Sequence, residues 1–186
     1  MLTTTDAIVL SLQPQSDKAH VLHAYTRAGG RVNYKVYGLG RKNSAEKYSP
    51  LSVVQLTTDE HSIRTAQLTF VPTSLTTDPY KRTIALFLSE VLYHVLRHPM
   101  VDEPMYDFIA QAIEELDRTD EPQNFHLQFL VSFAAKLRFE MEEAIPLPHS
   151  RKDRQEALRS LCAYFAEHVE TWQNPKSLDI LMEVFD

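Results

Sequence analysis

At Asp78 the spacing of apolar residues changes from a period near two to a period near 3.6. A period of two marks strands with one face in a core, and 3.6 marks helices carrying an apolar stripe. A chain that makes this switch once folds as strands followed by helices. In the first part, Ile8, Leu10 and Leu12 alternate with Val9 and Ser11, and Val21, His23 and Tyr25 with Leu22 and Ala24. Val32, Tyr34 and Val36 then alternate with Arg31, Asn33 and Lys35, after a Thr26–Gly30 stretch that reads as a hairpin turn. "LSVVQLT" and "SIRTAQLTFV" supply two more strands, separated by polar Thr58–His61. Five short strands with a long loop between the third and fourth predict a small antiparallel barrel of the OB type.

Beyond the switch, Asp78 reads as a helix N-cap with Pro79 at the first helical position, where its missing N–H costs nothing. Ile84, Phe87, Leu88, Val91, Leu92, Val95 and Leu96 form one stripe, and the helix stops before Pro99. Further helices are expected from Asp102–Pro104, after Asp120 and Pro122, from Asp153, and after Asn174–Pro175. The expected fold is therefore α+β: an N-terminal OB barrel over 1–77 and an all-α helical domain over 78–186. The joining "VPTSLTTDPY" has no glycine and reads as stiff. It should hold the domains at a fixed angle, with Tyr80 and Phe87 at their seam.

The formal net charge of −6 is unevenly distributed. Eight Lys and Arg against five Asp and Glu up to Thr77 give +3, and eleven against twenty beyond give −9. Any contact with a polyanion is thus expected in the first part only. No apolar run approaches the ~18 residues that span a bilayer, and "MLTTTDAIVLSL" lacks the layout of a signal peptide. Cys162 is the one cysteine, which excludes an internal disulfide or a Cys-rich zinc site and fits a cytoplasmic location.

Catalytic patterns are weak. "YGLGRKNSAEKYSP" supplies G-x-G at Gly38 and Gly40, but Asn43 stands where a dinucleotide fingerprint needs its third glycine. A strand follows instead of a phosphate-capping helix, so the loop is a grip on a nucleic-acid backbone or a solvated turn. Glu90, His94 and His98 lie four apart on one helix face, a spacing that a metal-dependent hydrolase could use, although they are not H-E-x-x-H. His98 also suits a helix C-terminus, where the dipole favours a cation. No serine occupies a G-x-S-x-G elbow. The expectation is no enzyme activity, no cofactor and no metal.

The basic residues of the first part say more. Arg27, Arg31, Lys35, Arg41 and Lys42 fall within 16 residues, with Tyr37 among them and Lys47 in the same loop. Cations interleaved with aromatics on an open barrel are what single-strand binding uses, phosphates meeting Lys or Arg and bases stacking on rings. A half-solvated sheet with its charges outside gives the same pattern.

The opening "DAIVLSLQPQSDKAHVLHAYTRAGGRVNYKVYGLGRKNS" resembles that of the bacterial recombination mediator family RecO, at Ala7 to Leu10, Thr26, Arg27, Gly30, Gly38, Arg41 and Lys42. The tail "YFAEHVETWQNPKSLDILMEVF" is similar to the end of its Bacteroidetes-type members. This resemblance implies an OB fold, a helical C-terminal domain and a repair protein without enzyme activity. It also implies single-stranded DNA binding and annealing, and partnership with RecR and single-stranded-DNA-binding protein in loading RecA. The DNA-binding residues expected are Arg27, Arg31, Lys35, Tyr37, Arg41, Lys42 and Lys47. The acidic, apolar tail of single-stranded-DNA-binding protein should find a groove rimmed by cations, for which Lys81, Arg82, Lys136 and Arg138 are available. Between Glu140 and Arg151 the chain is shorter than the family pattern, which in some members holds a zinc-binding cysteine cluster there. The alternative is a protein-interaction module whose degenerate OB barrel no longer binds DNA.

Overall fold

The computed structural model describes residues 1–39, 46–141 and 148–184. Strands β1 (Leu2–Ser16), β2 (Ala19–Thr26), β3 (Gly30–Tyr37), β4 (Val53–Asp59) and β5 (Ser62–Phe70) close a barrel in the order β1-β2-β3-β5-β4. Every pairing is antiparallel except β3 with β5, where Lys35 meets Ser62. This is the expected OB architecture. Ala7, Val9, Leu22, Ala24, Tyr34, Val36, Val54 and Leu56 fill the interior together with Tyr48, which a short 3-10 turn over Glu46–Tyr48 delivers.

The helices are α1 (Thr73–Thr77), α2 (Pro79–Val95), α3 (Glu103–Arg118), α4 (Phe125–Lys136), α5 (Arg151–His168) and α6 (Leu178–Val184). Asp78 caps α2 as the sequence predicts, its Oδ1 accepting from the Tyr80 and Lys81 amides at 2.8 and 3.3 Å. Asp102 caps α3 the same way, accepting from the Met105 amide at 2.9 Å. The cap of α5 is Ser150 and not Asp153, whose amide donates to the Ser150 hydroxyl at 3.1 Å.

Three features differ from the sequence reading. Helix α1 forms inside the segment read as a linker. Its first amides, Ser74 and Leu75, donate at 2.8 and 3.0 Å to the Asp117 carboxylate at the end of α3. A cap supplied 43 residues away leaves no local signal. Second, Ala7 to Leu10 are all at most 2% exposed, so β1 is buried on both faces rather than one. Ala7 and Val9 enter the barrel, whereas Ile8 and Leu10 join the helical core with Tyr25, Leu51 and Val53. An irregularity in the β1–β2 register between Val9 and Ser11 accompanies this double burial. Third, Tyr80 is 45% exposed and Phe87 is packed inside the helices, its ring 6.3 Å from His126 of α4. Tyr80 thus lies outside the seam expected of it, whereas Phe87 belongs to the apolar cluster that also takes in Ile8 and Leu10 of β1.

The hairpin turn adds a second contact between barrel and helices. Gly30 has φ +63°, a left-handed conformation that glycine adopts freely, and it lies against the backbone of Met100 between α2 and α3. The Arg31 amide donates to the His98 carbonyl at 3.3 Å.

Candidate nucleic-acid interface

Alternation along β3 sends Tyr34 and Val36 into the barrel and Arg31, Asn33, Lys35 and Tyr37 outward. The four outward residues then meet different surroundings. Arg31 Nη1 donates to the Tyr93 carbonyl at 3.1 Å and the Leu96 carbonyl at 3.4 Å. Its guanidinium also lies 4.4 Å from the centre of the Tyr93 ring. These are the carbonyls a helix end leaves without partners, so Arg31 serves as a side-chain cap for α2. Burial depresses its pKa from the usual guanidinium value. Arg27, in the hairpin turn, pairs with Asp107 and stacks 4.6 Å from the centre of the Tyr106 ring, with Glu103 at 3.6 Å. The Asp107 hydrogen bond holds the Arg27 pKa above the usual value. Thus Arg27 and Arg31, expected among the DNA-binding residues, face the helical domain, apart from the exposed Lys35.

The other end of β3 is open. Lys35 is exposed and Tyr37 is 58% exposed. Two turns meet there. The register pairs Ala19 with Tyr37, which brings the exposed Lys18 of the β1–β2 turn alongside. The Lys35 amide donates to the His61 carbonyl in the β4–β5 turn at 2.7 Å. Strands 2 and 3 with these two turns are where OB folds take up oligonucleotides. Lys18 escaped the sequence reading because only strand pairing places it beside Tyr37; Asp17 and Glu60 share the same turns. Lys47 sits elsewhere, donating to the Ala66 carbonyl of β5 at 3.2 Å. Arg41 and Lys42 lie outside the described residues.

Of the cations expected to rim a partner groove, Lys81 is only 5% exposed. Its ammonium donates to the Ser74 hydroxyl at 2.5 Å and the Asp117 carbonyl at 2.8 Å, tying α1, α2 and α3 together. Lys81 is therefore a buried structural cation and not a rim residue. Arg82 donates to the Thr76 carbonyl. Lys136 is exposed at 5.7 Å from the centre of the Phe108 ring, and Arg138 is exposed with φ +62°. Glu90 accepts from the Ser177 amide and hydroxyl at 3.0 and 2.8 Å, so it anchors the segment leading into α6. The His94 ring packs edge-on against Tyr93. Among the described residues no group of three His, Cys, Asp or Glu side chains is arranged to hold a metal. Burial pushes the Cys162 thiol up to about 12, which leaves it a protonated core residue.

No protein-family model matches the chain. Individual relatives do. The DNA repair protein RecO of Porphyromonas gingivalis is 34% identical over 142 residues, which are 70% of this chain and 58% of that protein. The RecO protein of Flavobacterium johnsoniae is 27% identical over 236 aligned positions that span the whole of both chains. Bacteroides fragilis RecO is 27% identical over 243 positions, again spanning both chains. The chain is a homologue of the RecO repair proteins.

The family resemblance seen at both ends of the sequence is thus carried through the whole chain, and the barrel-plus-helices fold agrees with it. The match to P. gingivalis RecO spans less than two thirds of that relative. At least 50 of the 236 positions aligned with F. johnsoniae RecO face no residue in a chain of 186, which agrees with a shortened RecO homologue. The stretch expected to carry the shortening includes residues 142–147, which lie outside the described residues. No helix is long and apolar enough to cross a membrane among those described.

Proposed function

We propose that this chain acts in DNA repair as a RecO-type mediator whose barrel binds single-stranded DNA and promotes annealing. The observation that supports the barrel as the binding element is the open end of β3, where Lys18, Lys35 and Tyr37 converge while Arg27 and Arg31 are held against the helices. Phosphates meet Lys18 and Lys35, with Arg41 and Lys42 of the following loop, and a base stacks on Tyr37. Partnership with RecR in loading RecA follows from the family alone. Lys35→Ala should weaken binding to all single-stranded sequences alike and lower the salt slope of log K by roughly 1, since one phosphate contact is lost. Tyr37→Ala should lose about 1–3 kcal/mol of stacking without changing that slope. Fluorescence titrations at several salt concentrations separate the two effects. Wild-type protein that binds no oligonucleotide would favour the interaction-module reading instead.

For the tail of single-stranded-DNA-binding protein, Lys81 is buried and Arg82 is engaged by the Thr76 carbonyl, which leaves Lys136, beside the ring of Phe108, and Arg138 as the basic rim. Calorimetric titration with an acidic tail peptide should show weaker binding after Lys136→Ala and Arg138→Ala together. Unchanged affinity in that double variant would move the tail to another surface.

A further inference from the structure

A groove of about 580 Å³ separates the barrel from the helices. Ser11, Leu12 and Gln13 of β1 form one wall, Tyr93 and His94 of α2 another, and Lys176 closes the side ahead of α6. Its size falls within the range of ligand sites, and nothing in the proposed mediator role uses it.

The strand register connects this groove to the open end of β3. Gln13 pairs with Val21, and Val21 pairs with Lys35, all in one row on the outer face of the sheet. The next row holds Ser11, His23 and Asn33, with His23 Nδ1 and Asn33 Oδ1 2.7 Å apart. A path of exposed and half-buried side chains, polar except for Val21, therefore runs from Lys35 across β2 to the groove. At its far end the charge is positive. Lys176 lines the groove, and Arg97 stands next to it, 5.6 Å from the centre of the lining Tyr93 ring that Arg31 also covers. Among the described residues neither Arg97 nor Lys176 is held in an ion pair. Glu90 also lines the groove, but one of its oxygens already accepts two hydrogen bonds from Ser177. Burial lowers the His94 pKa and Arg97 lowers it further; Glu90 opposes this, and Arg31 and Lys176 add to the lowering, so three cations and one carboxylate act on this ring.

We propose that this interdomain groove receives a second segment of the same single strand, so that the nucleic acid crosses from the barrel end over the Gln13–Val21–Lys35 row and its backbone meets Lys176 and Arg97. This rests on the reading of the barrel as a single-strand binder. It makes the occluded length exceed what the barrel end covers alone, and it lets the helical domain sense whether a strand is long enough to reach it.

The only tryptophan, Trp172, provides the readout. Its indole N–H donates to the Asn174 side chain at 3.1 Å, and Asn174 lines the groove. The full chain is titrated with oligothymidylates of about 5 and about 20 nucleotides, bracketing the ~4–16 nucleotides that one OB fold takes. The longer strand should perturb Trp172 emission and the shorter should not. Lys176→Ala with Arg97→Ala should lower the salt slope by roughly 1 to 2 for the long strand only, whereas Lys35→Ala affects both lengths. A long strand that binds with Trp172 silent and the slope unaltered in the double variant overturns the groove assignment alone. Absence of binding at either length overturns the single-strand reading and the groove with it.

Discussion

Gly30→Ala is expected to destabilise the protein by about 2–4 kcal/mol, more than any surface substitution on the barrel. Two costs combine at this position. The left-handed φ of +63° penalises any side chain, by about 1–2 kcal/mol for a residue with a Cβ. A methyl group there would also collide with the Met100 carbonyl oxygen, and would lie 2.8 and 2.9 Å from the Met100 nitrogen and carbonyl carbon. All three atoms are backbone, so relief requires the hairpin to move off the α2–α3 connection. Gly38 is the internal control: its φ is +73°, yet none of the described residues lies within 4 Å of an added methyl. Gly38→Ala should therefore cost only the conformational part. Denaturant unfolding of both variants gives the seam's contribution as the difference. Equal losses would mean that the hairpin does not bear on the helical domain as described. Hydrogen exchange at Arg31, whose amide donates to His98, should accelerate in Gly30→Ala and not in Gly38→Ala.

The second large effect is a dependence of stability on acid that one residue carries. His126 is 2% exposed, its ring packed edge-on to Phe87, and burial followed by the nearby Arg154 charge lowers its pKa to about 3. In the unfolded chain the same imidazole titrates near ~6.5. Between these values the unfolded state binds a proton that the folded state refuses, so stability is retained above about pH 6.5 and lost as the pH falls towards 3. The slope approaches ~1.4 kcal/mol per pH unit, and the loss between neutral pH and pH 4 is about 3 kcal/mol. His126→Leu removes the titration while keeping an apolar side chain in place. Its stability should fall about 3 kcal/mol less than that of the wild type over that interval, whatever its stability at neutral pH. Parallel pH profiles would show that His126 takes up its proton without unfolding.

Much of the architecture is legible in the sequence. Alternation of apolar residues up to Thr69 and their 3.6 spacing from Ile84 onward are local consequences of strand and helix geometry. The caps at Asp78 and Asp102 and the hairpin turn before Gly30 act over a few residues, so the sequence shows them directly. What stayed hidden depends on partners far along the chain. Helix α1 exists because Asp117 reaches back to it, and Lys81 is buried because Asp117 and Ser74 supply it with acceptors.

The candidate site divides in the same way. The sequence by itself determined that cations and aromatics gather on β3 and its flanking turns, since composition and a period of two suffice to put Arg31, Lys35 and Tyr37 on one outward face. Only the tertiary structure decided which of them remain free. The C-terminal end of α2 arrives over the first residue pairs of the β2–β3 hairpin, and its unpartnered carbonyls draw in Arg31 while Asp107 draws in Arg27. Lys35 and Tyr37, two and three strand repeats beyond Arg31, lie beyond its reach and keep their exposure. A strand's side-chain spacing sets the face of every residue, but not where along that face another element will land, because that depends on helix packing settled by residues more than sixty positions away.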